Sequence, residues 1–288
     1  MKRVFIFLAA TSGLMFGLGY LGALHPFFDA IAIGRRVALF GCIIFLVLLV
    51  RNAVLCVVLL GVLALTATIL RPPSADQPGD VRVYTKNLWH ANQQIDAVVS
   101  DIRRVNPDVV FLQEVSENNR AIISELQADL PYQARCPWQG WNGIAILSRW
   151  PFPDAEPRCS PDRSLMAMRV DRPAGSFWAV GVHLQQPWPD VQWQHLTEGL
   201  SVLHDLDGGA IVAGDFNTVP WSAAALEIGA RTRTRLIGPP RATFRLFGVP
   251  LPLDQIWAQS GRVELAPALG SDHLGVFADV QPSAAHDQ

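Results

Sequence analysis

The sequence is poor in cysteine and, over its first quarter, poor in charge. Its four cysteines, Cys42, Cys56, Cys136 and Cys159, lack the spacing of a structural zinc site and offer no catalytic thiol, which sets aside zinc and cysteine chemistry. A basic excess is also missing. Only Lys2, Arg3, Arg35, Arg36 and Arg51 precede residue 71, together with a single acid, Asp29, whereas the remainder carries 18 basic and 24 acidic residues. An acidic globular part lowers the expectation of tight binding to duplex nucleic acid, which depends on cations neutralising phosphates. No internal repeat is visible, so the chain does not read as a repeat array.

What fills the first 70 residues is apolar sequence. Residues 4–24 carry no charge and follow Lys2-Arg3, a stretch of about 20 residues that is long enough to cross a bilayer. A cleaved signal peptide would be followed by a soluble chain. Here two more apolar runs follow, 37–50 and 53–70, split by Arg51-Asn52. Each is shorter than the roughly 20 residues of an upright span, and we read them as a tight hairpin with Arg51 snorkelling at its turn. One tilted helix over 37–70 would bring Arg51 near the bilayer centre, at a cost of about 2.5 kcal/mol or more. Three transmembrane helices are therefore expected in residues 1–70.

Three spans put the C-terminal part opposite the N-terminus. Lys2, Arg3 and Arg51 favour an inside N-terminus and Arg35-Arg36 oppose it, so the positive-inside rule is nearly balanced. Cys42 and Cys56 fall in the apolar runs, where thiols behave as small apolar groups. Cys136 and Cys159 form an even pair, either one disulfide in an oxidising compartment or two unrelated buried thiols. The expectation is a multi-pass inner- or plasma-membrane protein with an external, periplasm-facing catalytic domain.

A Pro-rich polar linker, 71–80, separates this region from a globular one, 81–288. Short apolar strands then alternate with amphipathic helices. Strands are predicted at 81–84, 108–112, 143–147, 165–170, 177–182, 210–214, 253–258 and 274–280. Ile95, Val98, Val99 and Ile102 are spaced as one helix face ending before Pro107, Ile122, Ile123, Leu126 and Leu130 mark a second helix, and a third covers about 190–206. Roughly 210 residues can bury a substantial core.

The strongest local signal is Gly214-Asp215-Phe216-Asn217 after the apolar Ala210-Ile211-Val212-Ala213. Strand alternation sends residues 215 and 217 to one side and Phe216 to the other. Other polar residues also fall at the ends of apolar strands: Asn87, Glu114, His183, Asp254 and the pair Asp272-His273. Such positions can converge on a cleft held by a rigid scaffold. Carboxylates, amides and imidazoles together suit hard cations, Mg²⁺ or Mn²⁺, beside acid–base groups. Phosphoester cleavage uses those parts: a cation neutralises charge on phosphoryl oxygens, a carboxylate handles water, and an imidazolium stabilises the pentacovalent state.

The ordered series Asn87, Gln113-Glu114, Gly143-Ile144-Ala145-Ile146-Leu147-Ser148-Arg149, His183, Gly214-Asp215-Phe216-Asn217, Asp254 and Ser271-Asp272-His273 resembles the endonuclease/exonuclease/phosphatase superfamily, the DNase I-like proteins, over about 81–280. The resemblance implies an α/β fold, a four-layered sandwich of two central β-sheets flanked by helices, with one active site at the shared sheet edge. It implies Glu114 as the main metal ligand with Asn87 and Asp272 near the ion, and Asp215 orienting or activating the attacking water. It further implies Asn217 holding the phosphate or that water, His273 contacting the scissile phosphate with Asp254 as its orienting partner, and His183 stabilising the transition state or assisting the leaving group.

Structural alternatives exist for each residue alone. Asp215 or Asn217 could cap a helix starting near Pro220, Asn87 could be a loop residue, and Glu114 could favour a helix N-terminus. His25, His90, His195, His204 and His286 have no comparable context and read as structural or exposed. Substrate clues are thinner. Trp138, Trp141, Trp188 and Trp193 stand in predicted loops, and Arg231, Arg233, Arg235, Arg241 and Arg245 precede Asp254. They face a phosphorylated ligand or are ordinary filler and a solvated loop. The expected partners are a phosphoester substrate, whether nucleic acid, phospholipid or small ester, and the bilayer, with no obligate protein partner. An inactive scaffold is the reading from another class.

Overall fold

A computed structural model describes residues 1–49, 59, 61, 77–136, 143–189 and 191–283. Two mixed β-sheets pack face to face with helices on their outer surfaces, as the α/β expectation required. The first sheet has the order β13-β14-β1-β2-β4-β3, from Ser260–Ala266, Gly275–Gln281, Val81–Asn87, Val109–Val115, Gly143–Ser148 and Tyr132–Arg135. The second runs β5-β6-β7-β8-β12-β9, from Arg158–Cys159, Leu165–Val170, Phe177–His183, Gly209–Asp215, Asp254–Ala258 and Arg235–Leu236. A separate hairpin pairs β10, Phe244–Leu246, with β11, Val249–Leu251.

Strand alternation builds the layers. From β7, Phe177 and Ala179 enter the core between the sheets, where they meet Val83, Ile144 and Ile146, while Trp178, Val180 and Val182 face outward. The outer face of the first sheet is covered by α3, Ile95–Val105, whose Val98, Val99, Ile102 and Val105 form its buried stripe. Asn106 stops that helix in a left-handed conformation, φ 53°, immediately before Pro107. α4 covers only Ala121–Glu125, shorter than expected. Leu126 and Leu130 are still buried, but they are carried by turns. On the second sheet lie α5, Gln192–Gly199, continued by a 3₁₀ turn over Leu200–Leu203, and α6, Ala223–Thr232.

The N-terminal region departs from the predicted spans. α1 covers Lys2–Leu18, ending six residues before the apolar run does. α2 covers Pro26–Leu49 and so begins eleven residues before the predicted 37. Pro26 suits the first helical position. Arg35 and Arg36, which precede the predicted second run, are inside α2: the Arg35 guanidinium lies 4.0 Å from the Tyr20 ring centre, and that of Arg36 lies 3.7 Å from the Trp221 ring centre. α1 and α2 pack antiparallel, with Phe5 stacked on Phe45. Among the described residues α2 alone is long and apolar enough to cross a membrane, by length and composition. The Arg51 turn and nearly all of the third run lie outside the described residues.

Cys136, just after β3, and Cys159, in β5, form a disulfide. It ties the edge strand of one sheet to the edge strand of the other, where no ladder connects them. With the cysteines 23 positions apart in sequence, the chain-entropy estimate of its contribution is about 3 kcal/mol. Cys136→Ser/Cys159→Ser should therefore lower the free energy of unfolding by that order, measured by denaturant titration in detergent. A change under about 1 kcal/mol would count against the cross-link as a major stabiliser.

Candidate active site

Register, more than any single motif, assembles the site. On the second sheet His183 pairs with Asp215 across β7 and β8, and Asp215 pairs with Asp254 across β8 and β12. One row of three adjacent strands thus carries an imidazole and two carboxylates. On the first sheet Asn87 pairs with Gln113, and a register shift between Leu112 and Val115 bulges β2 at Glu114, which adopts φ 55°. A bulge re-aims the side chain of its extra residue, and here that residue is Glu114.

Asn87 joins the two sheets. Its Nδ2 donates to Glu114 Oε1 and to Asp215 Oδ2, each at 3.0 Å, while its Oδ1 accepts from the Trp89 backbone at 2.9 Å. Asp215 is fully buried, and its other oxygen accepts the Asn217 backbone N–H at 2.8 Å. Asn217 is left-handed, φ 48°, and its Nδ2 donates to Leu184 O at 2.8 Å, tying the turn after β8 to the one after β7. Neither Asp215 nor Asn217 caps a helix: Ser222 is the N-cap of α6 and accepts from Ala225. Gly214 has φ 151°, and a Cβ there would overlap the Val182 carbonyl, so the motif needs glycine for both space and conformation.

His273 is held on both sides. Its Nδ1 lies 2.7 Å from Asp254 Oδ2 and its Nε2 lies 3.8 Å from Asp215 Oδ2. Burial works to lower its pKa, but the charges of Asp254, Asp215 and Asp272 and the Asp254 hydrogen bond outweigh it and push it up to about 10. The ring is imidazolium at neutral pH. Phe244 covers it, with ring centres 4.7 Å apart. His183 is buried, its Nε2 3.9 Å from Glu114 Oε1. Asp272 is exposed at the turn and acts on His273 and Lys86 through charge.

Three further residues contribute to the site, none of which the sequence alone assigns a role there. Lys86 is buried, and its Nζ donates to His273 O at 3.1 Å and Pro267 O at 3.3 Å; burial lowers its pKa to about 8, against the pull of Asp254, Asp101 and Asp272. In sequence it is one more strand residue. Ser271 Oγ donates to Asn87 O at 2.8 Å and accepts from the His273 backbone at 3.0 Å, pinning the last turn to β1. His90 is close to Glu114 after all, with backbone N at 2.8 Å and Nδ1 at 3.1 Å from Oε2. Its place three residues after Asn87 was the available clue.

Other expectations resolve away from the cleft. Trp188 and Trp193 contact Phe27 and Asp29 of α2, while Trp138, Trp141 and His286 lie outside the described residues. Arg231 pairs with Glu227, Arg235 donates to Gln259 O and Arg245 to Gly248 O. Arg149, quoted within the strand motif, bonds Asn106 and Pro107.

A hard divalent cation suits the Glu114 side, where a carboxylate stands beside an amide and no sulfur is present; in this arrangement Asn87 turns Nδ2, not Oδ1, to Glu114, so the carboxylate is the main oxygen donor. Asp215, Asp254 and His273 also cluster within 4.8 Å. That group is already a hydrogen-bonded carboxylate–imidazolium array, and a protonated ring has no lone pair for a metal.

No curated protein matches the sequence. Among solved structures, an endonuclease/exonuclease/phosphatase family protein from Leptotrichia buccalis is 17% identical with TM-score 0.55, covering 70% of this chain and 99% of that one. A variant of the 3′ phosphatase NExo from Neisseria, bound to a product DNA hairpin, is 17% identical with TM-score 0.54, covering 70% and 99%. A beta toxin mutant from Staphylococcus aureus with bound magnesium ions is 15% identical with TM-score 0.52, covering 70% and 100%. At these identities the likeness is one of fold. The model of the Endonuclease/Exonuclease/phosphatase family matches residues 84–273, a span that contains every residue of the site from Asn87 to His273, and the chain belongs to that family.

Proposed function

We propose that the protein is a membrane-anchored, divalent-metal-dependent phosphoesterase in which water attacks phosphorus. The observation that carries this reading is the Asn87 amide binding Glu114 and Asp215 at once, so that a cation-holding carboxylate and a water-handling one meet across the sheet boundary. Glu114, with Asn87 and Asp272 nearby, would hold Mg²⁺ or Mn²⁺. When bound, the ion supplies positive charge to the phosphoryl oxygens.

The chain's own groups divide the remaining work. Asp215, desolvated and fixed by Asn217 N and Asn87 Nδ2, accepts the proton of the attacking water. His273, held cationic by Asp254, donates to a phosphoryl oxygen and offsets the charge that builds there. Asn217 orients the phosphate or the water. His183 lies on the Glu114 side and steadies the leaving oxygen.

Among phosphoesters we favour a lipid diester over duplex nucleic acid. The chain beyond residue 70 has an excess of six acids, which disfavours a polyanion. The β10–β11 hairpin, whose Phe244 covers His273, exposes Leu246, Phe247 and Val249, with Phe247 98% exposed. The disulfide and α2 favour a bilayer anchor with the catalytic domain in an oxidising compartment.

Full-length protein in detergent, assayed with Mg²⁺ on a bis-aryl phosphodiester, phospholipid mixed micelles and DNA, should hydrolyse the first two faster than DNA. EDTA should abolish the activity and excess Mg²⁺ restore it. Preference for DNA would replace the lipid reading, and inactivity on all three would refute the enzyme.

A further inference from the structure

The segments 184–189 and 216–222 follow His183 and Asp215, and both are gripped by the start of α2. Helix first turns leave backbone N–H groups that need acceptors. In α6 the local cap Ser222 serves only Ala225, at 3.1 Å. The Ala223 and Ala224 N–H groups donate instead to the two oxygens of Asp29, which lies 194 residues from Ala223 in the chain. Asp29 is 1% exposed, and its Oδ2 also accepts Trp193 Nε1 at 3.1 Å. Around it Trp221 Nε1 donates to Ala32 O at 2.7 Å, the Arg36 guanidinium covers the Trp221 ring, and Phe27 meets Trp188 edge-on with centroids 5.1 Å apart.

From this contact a chain of bonds reaches the catalytic groups. Gln192, next to Trp193 on α5, donates to Gln185 O at 2.6 Å and to Phe216 O at 3.4 Å. Asn217 then spans from Leu184 O to the Asp215 carboxylate. A buried carboxylate that accepts two first-turn amides and an indole also complements the positive end of α6. Losing it would free both loops together.

We propose that Asp29 is a positioning residue of the active site, which makes turnover depend on the seating of the N-terminal helix against α5 and α6. The turnover half of this inference rests on the phosphoesterase reading; the contact itself does not.

The test uses full-length protein in detergent as wild type, Asp29→Asn, Trp193→Phe and Trp221→Phe. Asp29→Asn keeps the volume but replaces an acceptor oxygen with a donor facing backbone N–H groups. The two tryptophan variants each remove one bond to α2 and leave Asp29 in place, so they carry the test if Asp29→Asn does not fold. Amide exchange at Ala223 and Ala224 should accelerate at least tenfold in Asp29→Asn. On an aryl phosphodiester, kcat per folded molecule should fall roughly ten- to a hundredfold with KM within about threefold, and the tryptophan variants should show smaller losses in the same direction. Unchanged exchange overturns the contact. Faster exchange with unchanged kcat in every variant overturns the positioning role. A wild type that cleaves no phosphoester overturns the turnover claim together with the phosphoesterase reading, and the exchange result then decides the contact alone.

Discussion

Asp215→Asn is expected to lower kcat by about 10²- to 10⁴-fold, the range lost when a positioned proton acceptor is removed. The substitution preserves volume at a fully buried position, so packing does not confound it. What changes is chemistry: the amide cannot accept a proton from water, and its NH₂ group, if turned toward Asn87, meets another donor where Oδ2 now accepts at 3.0 Å. KM for an aryl phosphodiester should stay within a few-fold, because the phosphate is held by other groups. The check is steady-state kinetics beside near-UV circular dichroism. A folded variant that keeps a tenth of the wild-type kcat would remove Asp215 from the proton-transfer step.

The second large effect belongs to the His273–Asp254 pair. The pKa of His273 is raised from 6.5 to about 10, so its active imidazolium form persists through neutral pH and is lost as pH rises through about 10. The same sign holds for stability: a raised pKa contributes fully below the unfolded value and its contribution disappears as pH climbs through the folded one. Wild-type kcat should therefore show an alkaline limb near 10. Asp254→Asn removes the strongest raising influence and should move that limb toward neutrality. His273→Ala should cost about 10²- to 10³-fold in kcat, the scale of losing one transition-state donor, and should erase the limb. A pH–rate profile in Mg²⁺ tests both, and an unshifted limb in Asp254→Asn would separate the pair from catalysis.

Much of the globular fold was legible because its signals are local. The apolar runs that predicted strands at 165–170 and 177–182 appear as β6, Leu165–Val170, and β7, Phe177–His183. α3 appears as its 3.6-residue pattern and the proline after it require. The edge strands β3, β5, β9 and β13 and the β10–β11 hairpin went unread, since short strands and strands of mixed burial carry little periodicity. Helix limits failed at Leu18 and Pro26, where apolar content is uniform and the ends depend on Gly19 and Pro26 and on contacts from outside the helix.

The sequence by itself determined the α/β alternation, the family pattern and the identities of Asn87, Glu114, His183, Asp215, Asp254 and His273, because strand periodicity and the ends of strands are properties of neighbouring residues. Only the tertiary structure decided how these groups meet: the bulge that turns Glu114, the row joining His183, Asp215 and Asp254, and the Asn87 bridge between sheets. It also brought in Lys86, His90 and Asp29. Their partners lie 24 to 195 residues away, and sequence spacing cannot encode a hydrogen bond whose two ends meet only when separate strands and helices pack.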